Sequence, residues 1–374
     1  MDYFGQTIEP FDKIIDALLD PTTPFPPIHL HRFSDLNPND LEKLQRSWGD
    51  IRADRRLALL EDLEELADSD TLVSFDDLSK FALDDPDPRV REVALRLLWE
   101  NSEVRLVDKY LKMIDTDPDV NVRSTAATAL GQFIYYGELE EIPEKTLHRI
   151  ENKLLSITTD EQETKQLRRR ALEAMGFSSR PEIKNLILKA YNSNDTEWLV
   201  TALFAMGRSA NEAWIPSVVE MLDSENEEVL FEAVRAAGEL EAGKARQMLI
   251  RIVKNQPSGS DIRLEGIWAL SKIGGGKVRA TLEALLELSE DDNEIDVLED
   301  AIDNLHFTEN FHRLAMMDYI PESEEEILQW ALDGDLNIFE DEDEDEDDEE
   351  EEFFDDENYG DENFTLDDED ERNE

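Results

Sequence analysis

One stretch of ten residues constrains this chain more than any other. It runs from Val122 to Gly131 (VRSTAATALG), and the chain repeats it. Copies begin at Val90, Val122, Leu167, Trp198, Val229, Ile262 and, in degenerate form, Val297, so the steps are 32, 45, 31, 31, 33 and 35 residues. A period of roughly 30–47 residues with two helices per period is the mark of an α-solenoid. The expected architecture is therefore all-α: a superhelix of about seven or eight antiparallel helix pairs, in which each pair hides its apolar face only by stacking on its neighbours.

On a helical wheel of about 100° per residue, Val122, Arg123, Ala126, Ala127, Ala129 and Leu130 share one side. Ser124, Thr125, Thr128 and Gly131 share the other. The copies keep this division. The Ala126 column holds Ala94, Ala171, Ala202, Ala233, Gly266 and Ala301, and the Ala129 column holds Leu97, Ala174, Ala205, Ala236, Ala269 and Asn304. Small residues in these columns let neighbouring helices approach closely. Each copy follows a turn rich in Asp, Asn, Ser or Pro, as at 84–88, 115–119, 192–195, 223–226 and 257–261. Such residues cap a helix start or stop the helix before it.

The run from Met113 to Arg123, with Asp117-Pro118 followed by Val122-Arg123 and the later Ala-Leu-Gly, resembles HEAT repeats, in particular the short bacterial type also found in phycobilisome lyases. The resemblance covers about 72–305. It implies that the second helix of each pair lines the concave surface. It also implies that Asp117 and Arg123 belong to a side-chain ladder between repeats, with Asp85 and Arg91 at the same offset. Leu199, Leu230 and Leu298 replace the Arg, so the ladder is not expected there. The resemblance specifies fold and says almost nothing of activity.

Four segments are expected: an N-terminal helix and Pro-rich linker (1–35), the solenoid (36–305), C-terminal capping helices (306–335) and a disordered acidic tail (336–374). In the first segment, Phe11 to Leu19 reads as an amphipathic helix that docks on the array's end or captures a partner, followed by a linker from Pro21. Helices are expected over 36–48, 52–67, 72–83, 90–99 and 104–114, and a turn over Tyr135 to Leu139. The long 45-residue step carries an inserted helix from Glu144 and an acidic loop over 158–164. Ile295 to Leu305, Phe311 to Met317 and Glu324 to Leu332 read as separate helices.

The net charge is −56. From Glu340 to Glu374 there are 24 acidic residues and one basic, a net of −23, so the remainder carries −33. Nucleic acid is not expected as a partner, because affinity for phosphate needs Lys and Arg; a basic protein is. There are no cysteines, so disulfides and thiolate metal sites are excluded. No apolar run of about 18 residues exists to cross a membrane, and the start lacks a signal-peptide pattern. The expected setting is cytoplasmic, with oligomeric state open.

Candidate chemistry is sparse. His29, His31, His148, His306 and His312 form no recurring His-Glu pair of the kind that HEAT-like hydroxylases use for iron, so no metal is expected. Gly274-Gly275-Gly276-Lys277 follows a helix and lacks the Ser or Thr of a phosphate loop, so it reads as a helix cap. No cofactor and no catalytic residue is expected. Arg168, Arg169 and Arg170 are the densest basic cluster, expected to pair with Glu161, Glu163 and nearby carboxylates or with the chain's own tail, the alternative being a phosphate or acidic peptide. The Ser124 and Thr128 columns point away from the stack and turn apolar in the middle copies. Val200, Phe204, Phe231, Leu264 and Trp268, with Arg235 among them, would then form a strip inside the curve. Contiguous exposed apolar surface marks interaction sites, and aromatic residues dominate their hot spots.

The expected function is a non-catalytic protein-interaction scaffold or adaptor that binds a partner on its concave face. Its tail, with Phe353, Phe354, Tyr359, Phe364 and Leu366 among the carboxylates, would aid solubility or hold a basic partner. The alternative class is a HEAT-like lyase or lyase chaperone for a chromophore.

Overall fold

The structure, a computed structural model, describes residues 10–318, and side chains as far as 307. The helices in chain order are α1 (Phe11–Leu19), α2 (Pro38–Ser47), α3 (Ala53–Ser69), α4 (Asp76–Ala82), α5 (Pro88–Leu97) and α6 (Arg105–Thr116). Then come α7 (Val120–Glu138), α8 (Glu144–Thr159), α9 (Lys165–Ala174), α10 (Pro181–Tyr191), α11 (Thr196–Arg208) and α12 (Ile215–Met221). The series ends with α13 (Glu227–Glu239), α14 (Arg246–Asn255), α15 (Asp261–Ile273), α16 (Val278–Leu288) and α17 (Asp292–Asp318). No strand occurs among the described residues.

The repeated stretch supplies the odd-numbered helices from α5 onward. With α3, these stack in single file, each on the next up to α15. The even-numbered helices α4 to α14 each cover the odd helix that follows, forming a second layer. This is the all-α solenoid that the repeats demand. The turn residues act as read: the side chains of Asp87, Asp119, Thr164, Asp195 and Asn226 each accept a backbone N–H at the start of the next helix. Ser260 makes no such bond at α15.

The Ala-Leu-Gly signature has a geometric reason. A Cβ added at Gly131 would lie 3.2 Å from the Cα of Ala174, at Gly176 3.1 Å from Ala205, at Gly207 3.0 Å from Ala236, and at Gly238 2.8 Å from Ala269. In these four copies the Gly therefore rests on the backbone of the Ala in the next second helix. At the final step Ser271 and Asn304 stand in these places and hydrogen-bond at 3.1 Å.

The ladder forms between repeats. Arg91 reaches Asp117 at 2.7 Å, Arg123 approaches Glu163 at 3.8 Å and Arg263 meets Glu294 at 2.7 Å. Asp117 is thus joined to the preceding Arg91, and Arg123 to Glu163. Ahead of them Arg56 binds Asp85 at 2.8 Å, and Asp85 also accepts from the Trp48 indole at 2.6 Å. The first-repeat carboxylate is fully buried and fully paired, so the capping unit of α2 and α3 is locked on.

Several expectations are corrected. Residues 135–138 are helical rather than a turn, because Gly137 lets Leu147 of α8 pack against α7 and the chain reverses only at Glu140, with φ 61°. The helix expected from Leu72 starts at Asp76, and Leu72 is exposed. Ile295 to Leu305 and Phe311 to Met317 lie in one continuous helix, since neither Pro nor Gly interrupts Asp292–Asp318; it crosses the boundary expected at 305. The helix expected over 324–332 and the acidic tail lie outside the described residues. At the other end α1 docks: Phe11 packs edge-on against Phe33, and Lys43 pairs with Asp12 at 3.0 Å.

Replacing Gly238 by Ala is expected to lower stability by about 1–3 kcal/mol through overpacking, although Ala is the better helix former by about 1 kcal/mol. Gly49, around which a Cβ meets nothing within 4 Å, is the control: Gly49→Ala is expected to leave the urea midpoint unchanged or higher. Equal midpoints for the two variants would contradict the close-approach account.

Candidate functional site

The second-helix row coils strongly. The guanidinium of Arg208, at the end of α11, lies 5.8 Å from the ring of Trp99, just past α5. Two helices, α7 and α9, stand between them. At about 8–10 Å per helix step, a flat row would hold α5 and α11 roughly three steps apart, beyond the joint reach of the two side chains. The C-terminal ends of these helices therefore converge around Arg208, which also faces Phe177 at 5.0 Å and Phe204 at 4.3 Å. Tyr135 adds to the cluster against Phe177.

Toward the N-terminal ends of α9, α11 and α13 the row opens into a hollow of about 910 Å³. Val200, Phe204 and Phe231 supply its apolar floor, and Glu197, Glu227, Glu228 and Glu232 its walls. Phe231 and Asp261 continue it into a smaller cup formed with Leu264, Glu265, Trp268, Val297 and Asp300. Val200, Phe204, Phe231, Arg235, Leu264 and Trp268 are all half-buried.

Phe204 is not a bare apolar face. Arg235 of α13 lies 4.0 Å from its ring and Arg208 4.3 Å. Arg235 also pairs with Glu232 at 2.6 Å. Burial draws the Arg208 guanidinium down to about 10. Burial likewise pushes the Glu232 carboxyl up to about 7, which outweighs the pull of Arg235; Glu173, Glu239 and Glu265 push the same way. Glu265 is raised too, chiefly by burial. A further network is fully satisfied: Thr201 donates to the buried Glu173 at 2.8 Å and accepts from Arg169 at 2.9 Å.

The three consecutive arginines do not form one cluster. Steps of about 100° per residue send them apart. Arg169 and Arg170 face the hollow and pair with Glu197 at 2.8 Å and Glu173 at 2.6 Å. Arg168 turns to the other side, donates to the Thr158 carbonyl at 3.1 Å and stacks over Trp198. Glu163 is engaged by Arg123 instead. The Ser124 and Thr128 columns also differ from expectation in the early copies: Ser124 and Glu173 are buried, because the coil closes over them.

His29 and His31 lie in a short 3-10 helix, Pro27–Phe33. His148 hydrogen-bonds Glu151 at 3.0 Å, and that bond raises its pKa. Among the described residues no group of three or more His, Asp and Glu is arranged to hold a metal. Gly274 and Gly275 adopt positive φ, closing α15 and turning the chain into α16. Sequence reasoning missed Trp99, Phe177 and Arg208. Arg208 follows Phe204 by one helical turn, which was the available signal; nothing local points to Trp99.

Residues 75–144 and 215–306 match the HEAT repeats family. No curated protein matches the chain. Among solved structures, YibA of Escherichia coli is 18% identical, with 77% of this chain and 99% of that chain covered and a TM-score of 0.38. The complex of CpcE and CpcF of phycocyanin lyase from Nostoc sp. is 17% identical, covering 62% of this chain and 94% of that one, with a TM-score of 0.42. Human deoxyhypusine hydroxylase is 18% identical, covering 79% and 96%, with a TM-score of 0.30.

The raised Glu232 carboxyl has a pH signature. Its folded pKa of about 7 lies above the ordinary value of 4.5, so the folded state binds more protons between these limits. Stability then falls as pH rises through that window. Glu232→Gln is expected to stabilise the protein by about 3 kcal/mol at pH 8 and by almost nothing at pH 4. Thermal melts of both proteins across this range check it; a pH-independent difference would contradict the assignment.

Proposed function

We propose, from the premise that the chain is built of HEAT repeats, that it is a non-catalytic scaffold whose hollow second-helix face holds a basic, amphipathic segment of a protein partner. One observation carries this reading. An apolar floor of Val200, Phe231, Leu264 and Trp268 is rimmed by Glu227, Glu228, Asp261, Glu265 and Asp300. For these five carboxylates the chain supplies no ion-pair partner among the described residues. Glu227, Glu228 and Asp261 sit in first helical turns, where the helix dipole favours them. Glu265 and Asp300 lie beyond the first turns of their helices.

An acidic rim around an oily floor selects a partner with cations flanking apolar side chains. The carboxylate run from Glu340 to Glu352 adds long-range attraction for such a partner. No described helix is long and apolar enough to cross a membrane, and a cysteine-free chain suits the cytoplasmic setting we assign it.

The test is partner capture from the native cell by the full chain and by a Phe231→Ala, Leu264→Ala, Trp268→Ala variant. The variant is expected to lose at least about 90% of capture while its helical circular dichroism stays intact; loss of two hot-spot aromatics costs about 2 kcal/mol or more each. Capture by the unaltered chain is expected to weaken between about 0.1 M and 1 M salt, as the screening length falls from about 10 Å to 3 Å. Undiminished capture by the variant, or a visible chromophore that co-purifies, would overturn the reading.

A further inference from the structure

We infer that the cup between α13, α15 and α17 is an arginine-binding site, which receives a guanidinium side chain of the partner. The inference rests on the scaffold reading above and specifies the residue that the hollow selects.

The argument comes from the steps of the row. At three junctions between successive second helices the chain places its own cation. Arg96 of α5 reaches back to Glu64 of α3 at 2.6 Å. Arg169 of α9 reaches Glu197 of α11 at 2.8 Å. Arg235 of α13 reaches back over Phe204 of α11 at 4.0 Å. At the next junction, α13 to α15, the corresponding surfaces are Phe231 and Trp268, and no arginine lies between them. Arg235 is already engaged with Phe204 and Glu232. Lys272, one turn beyond Trp268, stands 5.9 Å from its ring and does not line the cup.

The cup has the chemistry of the occupied junctions without their cation. Its volume is about 360 Å³ and its lining is mainly apolar, from Phe231, Leu264, Trp268 and Val297. Asp261, Glu265 and Asp300 border it from two helices. Glu265 is half-buried and its carboxyl is held up by burial, with Glu239 adding to this and Arg235 and Lys272 opposing it. A guanidinium suits such a place better than an ammonium. It is planar, stacks on aromatic faces, is weakly hydrated and offers donors on two edges to carboxylates. An ammonium keeps its hydration more tightly and satisfies one carboxylate as a point charge.

The test uses the full chain and N-acetyl-L-arginine amide, with the lysine amide and guanidinium chloride as comparators. The chain has six tryptophans, and Trp268→Phe identifies the Trp268 indole N–H resonance. Arginine amide is expected to shift that resonance saturably, about fivefold more tightly than the lysine amide. A Glu265→Gln, Asp300→Asn variant is expected to bind at least about fivefold more weakly, with the other five indole resonances unmoved as evidence of an intact fold. Equal affinity for lysine amide, the absence of a saturable shift with arginine amide, or unchanged binding by the variant would each overturn the inference. Should arginine amide fail while the Phe231, Leu264, Trp268 variant still loses its partner, the scaffold reading survives and the arginine assignment falls. Should both fail, neither stands.

Discussion

The structure depends on glycine resting on alanine. From Gly131 on Ala174 to Gly238 on Ala269, successive second helices touch backbone to backbone near their C-terminal ends. Interhelical distance is set by the side chains at the contact, and the smallest side chains give the shortest distance. The N-terminal halves carry bulkier groups, such as Val200, Phe231 and Leu264. Helices pinched at one end and propped apart at the other must fan. A fan continued over several repeats becomes a coil, which is why Trp99 and Arg208 meet across two intervening helices. The hollow on the propped side is thus a consequence of where the small residues stand.

Electrostatics divides the array differently. Ion pairs join successive repeats where Arg precedes an acid: Arg56 with Asp85, Arg91 with Asp117, Arg123 with Glu163, and Arg263 with Glu294. In the middle copies Leu199 and Leu230 occupy the Arg position and pack against the core instead. The middle of the array is held mainly by close packing. Its charged groups are thereby released from the ladder, and they appear on the hollow side as Arg208, Glu232, Arg235 and Glu265.

The fold was legible because its cause is local and repeated. The period gave the helix pairs, the Ala columns gave close contacts, and Asp119 and Asn226 gave the helix starts; Gly131, which the wheel sets on the side away from the stack, is corrected to a packing position against Ala174. Boundaries failed where a single long-range contact decides them. Gly137 reads as a turn, yet it continues a helix because Leu147 sits against it. The placement of the strip's residues was legible in part. Val200, Phe231, Leu264 and Trp268 follow from the wheel, and they line two hollows that share Phe231 and Asp261. That Phe204 lies between two guanidiniums does not follow, since Arg235 comes from the next repeat and the coil brings Arg208 inward. Arg168 to Arg170 look like one patch in sequence, but helical rotation separates them. Superhelical pitch sums small rotations over many repeats, and no short window of sequence contains it.

The buried charges beside the hollow argue for use rather than stability. A buried ion pair costs desolvation that its own attraction rarely exceeds, and apolar residues would fill the same positions more favourably. Glu232 is pushed toward its neutral form and Arg208 is drawn down by the same burial. Elsewhere the chain resolves buried charge completely: Asp85 is met by Arg56, Trp48 and the Asp87 backbone N–H. The same sequence therefore contains both a completed and an incomplete solution to one problem. The incomplete one lies beside the hollow along α9, α11 and α13. A cation arriving in the adjoining cup would offset the burial of Glu265, and the free energy of that relief would appear as affinity instead of as stability of the free protein.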